Sequence, residues 1–352
     1  MERNFYLNLA ASGLRMPIGT HLVLHQQANP EAILLDGCRL GAVLVETAAR
    51  FNTPLAVPLM DLTLEKEALL LAMGVLADEI SQFHFTEPPK ALNAVPLTPR
   101  MKASCEAISH VANTPALLPM GMSIGPFSLM TKLLADPITP VFLAGTGATA
   151  EEEPDVALVE AALAAGERVI HTYLEAQIAA GAKAVIVCEP AANQVYFSPK
   201  QLEVSFAVFD RYVMEPMQRI AQLLAKHDVD LVFHDCGELT EGMVKRFATL
   251  GAAMVSLGSS RKLWEDAAFI PKDTVLYGNL PTKRFYASQL SVPEVERMTN
   301  ELLERMRAAG HPFILGSECD VLSVPGSESE ILGKVDAFMR CSCGAKATAS
   351  GE

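Results

Sequence analysis

The sequence predicts an α/β fold, a single-domain (β/α)8 barrel of the TIM type, from three observations. Short apolar runs alternate with longer amphipathic stretches over 352 residues. The runs are four or five residues long, as expected for parallel strands covered on both faces. Chemically unusual residues recur at the C-terminal ends of these runs, and in a barrel those ends share one face, where active sites are built.

The elements follow in order. PLAVPLMD (54–61) reads as a strand, and LEKEALLLAMG after it as a helix. ALLPMGMSIGPF (116–127) is a second strand ending in Gly-Pro. Residues 155–181 carry an apolar stripe at helical spacing, with Gly181 where a C-cap belongs. AKAVIVCEP (182–190) follows as a strand. A helix at roughly 199–227 precedes VDLVFHDCG (229–237), and another at roughly 238–250 precedes GAAMVSLG (251–258). DTVLYGNL (273–280), a helix over 292–309 and HPFILGSECD (311–320) complete the series. The eighth strand has two candidates, PVFLAG (140–145) and LVLH (22–25). A doubly wound open sheet is the alternative, but no GxGxxG follows an early strand. The barrel is expected to occupy 1–340, with the small, polar residues 341–352 as a flexible tail.

Half of the residues are hydrophobic, enough for one large core. A net charge of −13 argues against nucleic acid or an anionic membrane as partner. The longest uncharged run, 107–131, is long enough to span a bilayer, but Pro115, Pro119, Gly121, Gly125 and Pro126 would break a spanning helix. The N-terminus mixes acid and base without an apolar signal region. Seven widely spaced cysteines fit free thiols or metal ligands, and a reducing cytoplasm is the expected compartment. Cys38 and Cys105 read as core thiols, Cys188 as packing at a strand end, and Cys341 with Cys343 as solvated thiols. His21 and His25 fall in a β-like stretch, where a four-residue gap has no special meaning.

Asp61, Cys188 with Glu189, His234 with Cys236, Asn279, and Glu318 with Cys319 all fall at strand ends. Residues two apart leave an extended strand on the same side, so His234 and Cys236 point together. Cys319, 83 positions after Cys236, ends another strand. One imidazole and two thiolates suit Zn2+, and three protein ligands with one open position is a catalytic pattern. The competing account is a chance His-x-Cys among packed core thiols. Asp61, Glu189 and Asn279 are candidate substrate contacts. For Asp61 the plainer role is a helix N-cap, and for Asn279 a turn next to Gly278.

Several segments resemble the uroporphyrinogen decarboxylase superfamily, and within it the cobalamin-dependent methylcobalamin:thiol methyltransferases. They are PLMDLTLEKEALLLAMG, GMSIGPFSLMTKLL, AKAVIVCEPAANQVYFSPKQLEVSF, LYGNLPTKRF and FILGSECDVLSVPGSESEI, between about residues 50 and 340. HDCG with Cys319 is similar to the zinc signature of that branch. The chain departs from the pattern at Glu318, where relatives have a small residue, and at Glu189, where they have Asp. MVSLGSSRKLW offers no clear counterpart to a carboxylate that fills the fourth zinc position in relatives. The decarboxylase branch fits less well, because HLVLHQQANPEAILLDG lacks the arginines that hold a polycarboxylate substrate.

The resemblance implies a methyltransferase with Zn2+ on His234, Cys236 and Cys319. The methyl group would pass from methylcobalamin or another methyl-corrinoid to a small thiol. With no Asp-x-His-x-x-Gly motif in the chain, the corrinoid is expected on a separate protein. A metal-free decarboxylase using Asp61, or a non-catalytic barrel that binds a corrinoid or its carrier, are the other classes.

Overall fold

A computed structural model describes residues 3–92 and 94–341. The tail expected to be flexible, with Cys343, lies outside the described residues except for Cys341. Eight strands form one sheet: β1 (Arg15–Ile18), β2 (Leu55–Ala56), β3 (Leu118–Ile124), β4 (Ala184–Cys188), β5 (Asp230–Asp235), β6 (Met254–Leu257), β7 (Val275–Leu280) and β8 (Phe313–Asp320). Every neighbouring pair is parallel, in the order β1-β8-β7-β6-β5-β4-β3-β2. With helices outside, this is the (β/α)8 barrel the sequence predicts.

The eighth strand is neither candidate. LVLH lies largely in the helix Thr20–Leu24, and PVFLAG in the helix Ile138–Gly145. Asp136 starts the second of these, its carboxylate accepting the N–H groups of Ile138 and Thr139. The missing strand is RMPI, whose proline reads as a strand breaker. Its register against β8 shifts between Met16 and Ile18, so Pro17 sits at a bulge, where prolines in sheets are tolerated. The single helix expected over 199–227 is broken into Pro199–Val204, Ala207–Phe209, a π turn at Asp210–Met214, and Glu215–Lys226. His21 and His25 are on a helix, one turn apart, with ring centroids 4.1 Å from each other.

Strand alternation divides the core. Leu231 and Phe233 of β5 join the layer between sheet and helices, whereas Val232 joins the barrel interior with Met120, Ile186 and Tyr277. The helix Asn4–Ala11 packs against the N-terminal end of the barrel. Its Tyr6 is buried in the interior cluster and donates its hydroxyl to Asp230 at 3.0 Å. Side chains span the seam between β1 and β2, since no ladder joins them: the Thr20 hydroxyl donates to the Val57 carbonyl at 2.6 Å.

β2 is two residues long and covers only the first part of β3. Side chains take its place further along. The Gln177 amide accepts from the Met122 N–H at 2.7 Å and donates to the Met122 carbonyl at 2.9 Å. One carboxylate oxygen of Glu65 accepts from the Ile124 N–H and the Ser123 hydroxyl, while its other oxygen is buried without a partner. These bonds satisfy backbone groups that would otherwise be orphaned at an uncovered edge.

Burial pushes the fully buried Glu65 carboxyl up to about 7, against its hydrogen bonds from Ser123 and Ile124. The folded protein therefore keeps a proton that the unfolded chain releases above about 4.5. That raised value costs stability as pH climbs from about 4.5 through 7. Glu65→Gln keeps an acceptor for Ile124 and Ser123. It is expected to match the wild type near pH 4 and to exceed it by on the order of 2–3 kcal/mol at pH 8. Urea unfolding at the two pH values measures this, and an unchanged difference between them would contradict it.

Candidate metal centre

The rim is built by register. β4, β5 and β6 align Cys188 with His234 and His234 with Ser256. Alternation from Val232 sends His234 inward, and Cys236 follows on the same side. The chain then turns at Gly237, whose N–H donates to Asp235 Oδ1 at 2.8 Å. From the far end of β8, Cys319 reaches the same place. The Cys236 and Cys319 sulphurs are 3.9 Å apart. One ligand atom from each of His234, Cys236 and Cys319 lies within 4.8 Å of the others.

The imidazole shows what the arrangement suits. His234 is buried, with Nδ1 2.9 Å from the Ser256 hydroxyl, while Nε2 is buried without a hydrogen-bond partner. Leaving such an atom unsatisfied costs about 1–3 kcal/mol. Ser256 accepting from Nδ1–H would leave the Nε2 lone pair free for a cation. An orphaned imidazole nitrogen beside two sulphurs is the nitrogen-and-sulphur donor set that Zn2+ takes.

The two thiols behave as a pair. Cys236 is drawn well below the usual thiol range, first by its hydrogen bond with Cys319 and then by His234 and Lys283. Cys319 is driven up by the same hydrogen bond and by burial. Cys188 lies outside the trio: it is fully buried in the barrel interior, and burial raises its thiol. Cys105 is half-buried, while Cys38 is exposed, so it is not the core thiol expected. It occupies an outward position in the first turn of the helix Gly37–Arg50.

The expected substrate contacts are placed differently. Glu189 is fully buried, its carboxylate accepting the N–H groups of Phe127 and Ser128 at the start of the helix Pro126–Leu133. Burial pushes that carboxyl up to about 7. Asn279 spends both amide hydrogens on the carbonyls of Gly258 and Arg261, at 2.8 and 2.9 Å. Asp61 lies in the loop after β2. It is ion-paired with Arg100 and accepts from the Thr63 hydroxyl at 2.6 Å. Glu318 is pinned to the loop after β6, where it accepts from the Ser259 N–H at 2.9 Å. None of these four belongs to the close cluster of ligand atoms.

Sequence reasoning missed the grip on the two thiols. The turn Thr282–Arg284 follows β7. Its Thr282 hydroxyl donates to the Cys319 carbonyl at 3.2 Å, and Lys283 to the Cys236 carbonyl at 3.0 Å. The signal available was a hydroxyl and a cation directly after Asn279-Leu280-Pro281. Gly258 approaches from the other side, where a Cβ would lie 2.9 Å from the Cys236 carbonyl oxygen and 3.0 Å from its carbon. That obstacle is backbone. Gly258→Ala is therefore expected to shift Cys236 and to weaken any metal binding at the trio by about 10–100-fold. Chelator competition measures it, and wild-type affinity would show that Cys236 tolerates the added methyl group.

The fold and rim define a class: a parallel barrel with a His/Cys/Cys cluster at the C-terminal ends of its strands. The uroporphyrinogen decarboxylase (URO-D) family model matches residues 42–332, and the chain belongs to that family. Among solved structures, it is similar to a methyltransferase from Methanosarcina mazei. The two superpose with a TM-score of 0.65 over 96% of this chain and 98% of the other, at 18% sequence identity. No curated protein matches the chain. Among the described residues no helix is long and apolar enough to cross a membrane.

Proposed function

We propose that the protein is a zinc-dependent methyltransferase that moves a methyl group from a methyl-corrinoid to a small thiol. The observation that carries this reading is the unpartnered, buried Nε2 of His234 beside two sulphurs 3.9 Å apart. The likeness to the methanogen methyltransferase in fold, and the HDCG segment with Cys319, support it.

His234, Cys236 and Cys319 would hold the metal. When bound, Zn2+ supplies a deprotonated acceptor thiol at neutral pH and keeps it at a fixed position. The protein's own part is to prepare that position. Ser256 orients His234, Thr282 and Lys283 hold the segments carrying the two thiols, and Asn279 fixes the loop that packs on Cys236. Two thiolates and a neutral imidazole offset the charge of a divalent ion, so the acceptor sulphur stays electron-rich and nucleophilic. The methyl donor is large, and we expect it to dock over the rim on its own protein.

A metal-free decarboxylase would need Asp61 available to its substrate, yet that carboxylate is engaged by Arg100 and Thr63. The deciding experiment incubates the zinc-loaded protein with methylcobalamin and a panel of thiol and pterin acceptors, following the corrinoid spectrum. Demethylation with at least one small thiol is expected. Loaded protein that demethylates nothing would favour a binding role, and metal-independent decarboxylation of a porphyrinogen would favour the other branch.

A further inference from the structure

A cleft of about 540 Å³ lies outside the barrel between the helices Leu64–Ala72 and Pro126–Leu133. Lys66, Lys132, His84, Ser81 and Thr63 line it, with Ile80 on an apolar flank. We propose that this cleft binds the phosphate group of a small organic phosphate between the ammonium groups of Lys66 and Lys132.

The chain carries 41 acidic residues against 28 lysines and arginines, so most cations can find a carboxylate. Lys245 pairs with Glu241, and Lys262 with Glu265, each within one helical turn. Lys66 and Lys132 instead converge from two helices on one concavity. Neither has a carboxylate or hydrogen-bond partner among the described residues. The acid in the cleft, Glu67, approaches Arg100 at 4.0 Å. Burial and the charge of Lys132 both pull the Lys66 ammonium below its usual range. Lys66 is half-buried and Lys132 exposed in the cleft, so their like charges raise the energy of the empty state, and a bound anion relieves it.

A dianion neutralises both ammonium groups at once, which a single carboxylate does not. Lysine is a recurrent phosphate binder as a point charge, without the planar fork that matches carboxylates. The side chains of Ser81 and His84 make no hydrogen bond to described residues, leaving donors for further phosphate oxygens. The space exceeds one inorganic phosphate, and Ile80 offers an apolar surface to an organic body. Thr63 donates to Asp61, so the cleft borders the loop after β2 without sharing a residue with the metal trio.

The test titrates the full chain with inorganic pyrophosphate at low ionic strength, by calorimetry and phosphorus NMR. Saturable binding at one site is expected. Lys66→Gln and Lys132→Gln should each weaken it by about tenfold or more, while Lys66→Arg keeps most of it. Without pyrophosphate, both Gln variants should melt at or above the wild-type temperature, because a repulsion has been removed. Three results would each overturn the proposal: no saturable binding to the wild type, equal binding to the Lys66→Gln/Lys132→Gln double variant, or equal affinity for malonate.

Discussion

Replacing Cys319 with alanine is expected to leave a folded barrel that no longer retains zinc. Cys319 belongs to neither apolar cluster of the core and sits half-buried at the rim, so its removal opens no large cavity. The proposed metal would lose one of its three protein ligands. Structural zinc sites bind with about 10–16 kcal/mol at neutral pH, so one ligand of three is worth ~3–5 kcal/mol. Affinity should therefore fall by about 10²–10⁴-fold, with little change in melting temperature of the metal-free protein. Cys188→Ala is the internal comparison. That thiol aligns with His234 across the β4–β5 ladder but lies outside the trio, so its loss should cost packing energy and leave metal affinity intact. A reversed pattern, with Cys188 required and Cys319 dispensable, would place the site elsewhere.

The second large effect concerns the acceptor. A free thiol with a pKa near ~8.5 is only about 3% thiolate at pH 7. Coordination removes that limit, which alone is worth about 30-fold at pH 7. In the zinc-loaded protein, methyl transfer from methylcobalamin should be nearly flat between pH 7 and 8.5. In the stripped protein the residual rate should rise about 16-fold over the same range, following the thiolate fraction. Below neutrality the loaded enzyme should lose activity, because protons compete with the metal for its ligands, above all for Cys319, whose thiol is driven up by its hydrogen bond with Cys236 and by burial. Stopped-flow spectra of the corrinoid against pH, with and without chelator, measure this. Identical slopes in the two preparations would mean that the thiol is not activated at the site.

Most of the barrel was legible because parallel strands buried on both faces leave short apolar runs that local sequence reports directly. β1 was hidden because its four residues include a charge and a proline, and its pairing depends on β8, almost 300 residues away. β2 was overread: PLAVPLMD is apolar up to Asp61, yet only Leu55–Ala56 pair, and Gln177 and Glu65 stand in for the rest. The trio was readable because His-x-Cys on an extended strand fixes two side chains on one side, and barrel topology brings a third strand end beside them. What Glu189 and Asn279 do was not readable, since their partners are backbone groups supplied by other loops. The same holds for Thr282 and Lys283, whose acceptors are the carbonyls of residues far apart in the chain.

X-ray absorption at the zinc edge of the loaded protein tests the central claim most directly. Two sulphurs at ~2.3 Å and an imidazole nitrogen at ~2.0 Å are expected, with a third sulphur on adding the thiol acceptor. A shell of nitrogen and oxygen alone, unchanged by the thiol, would contradict it.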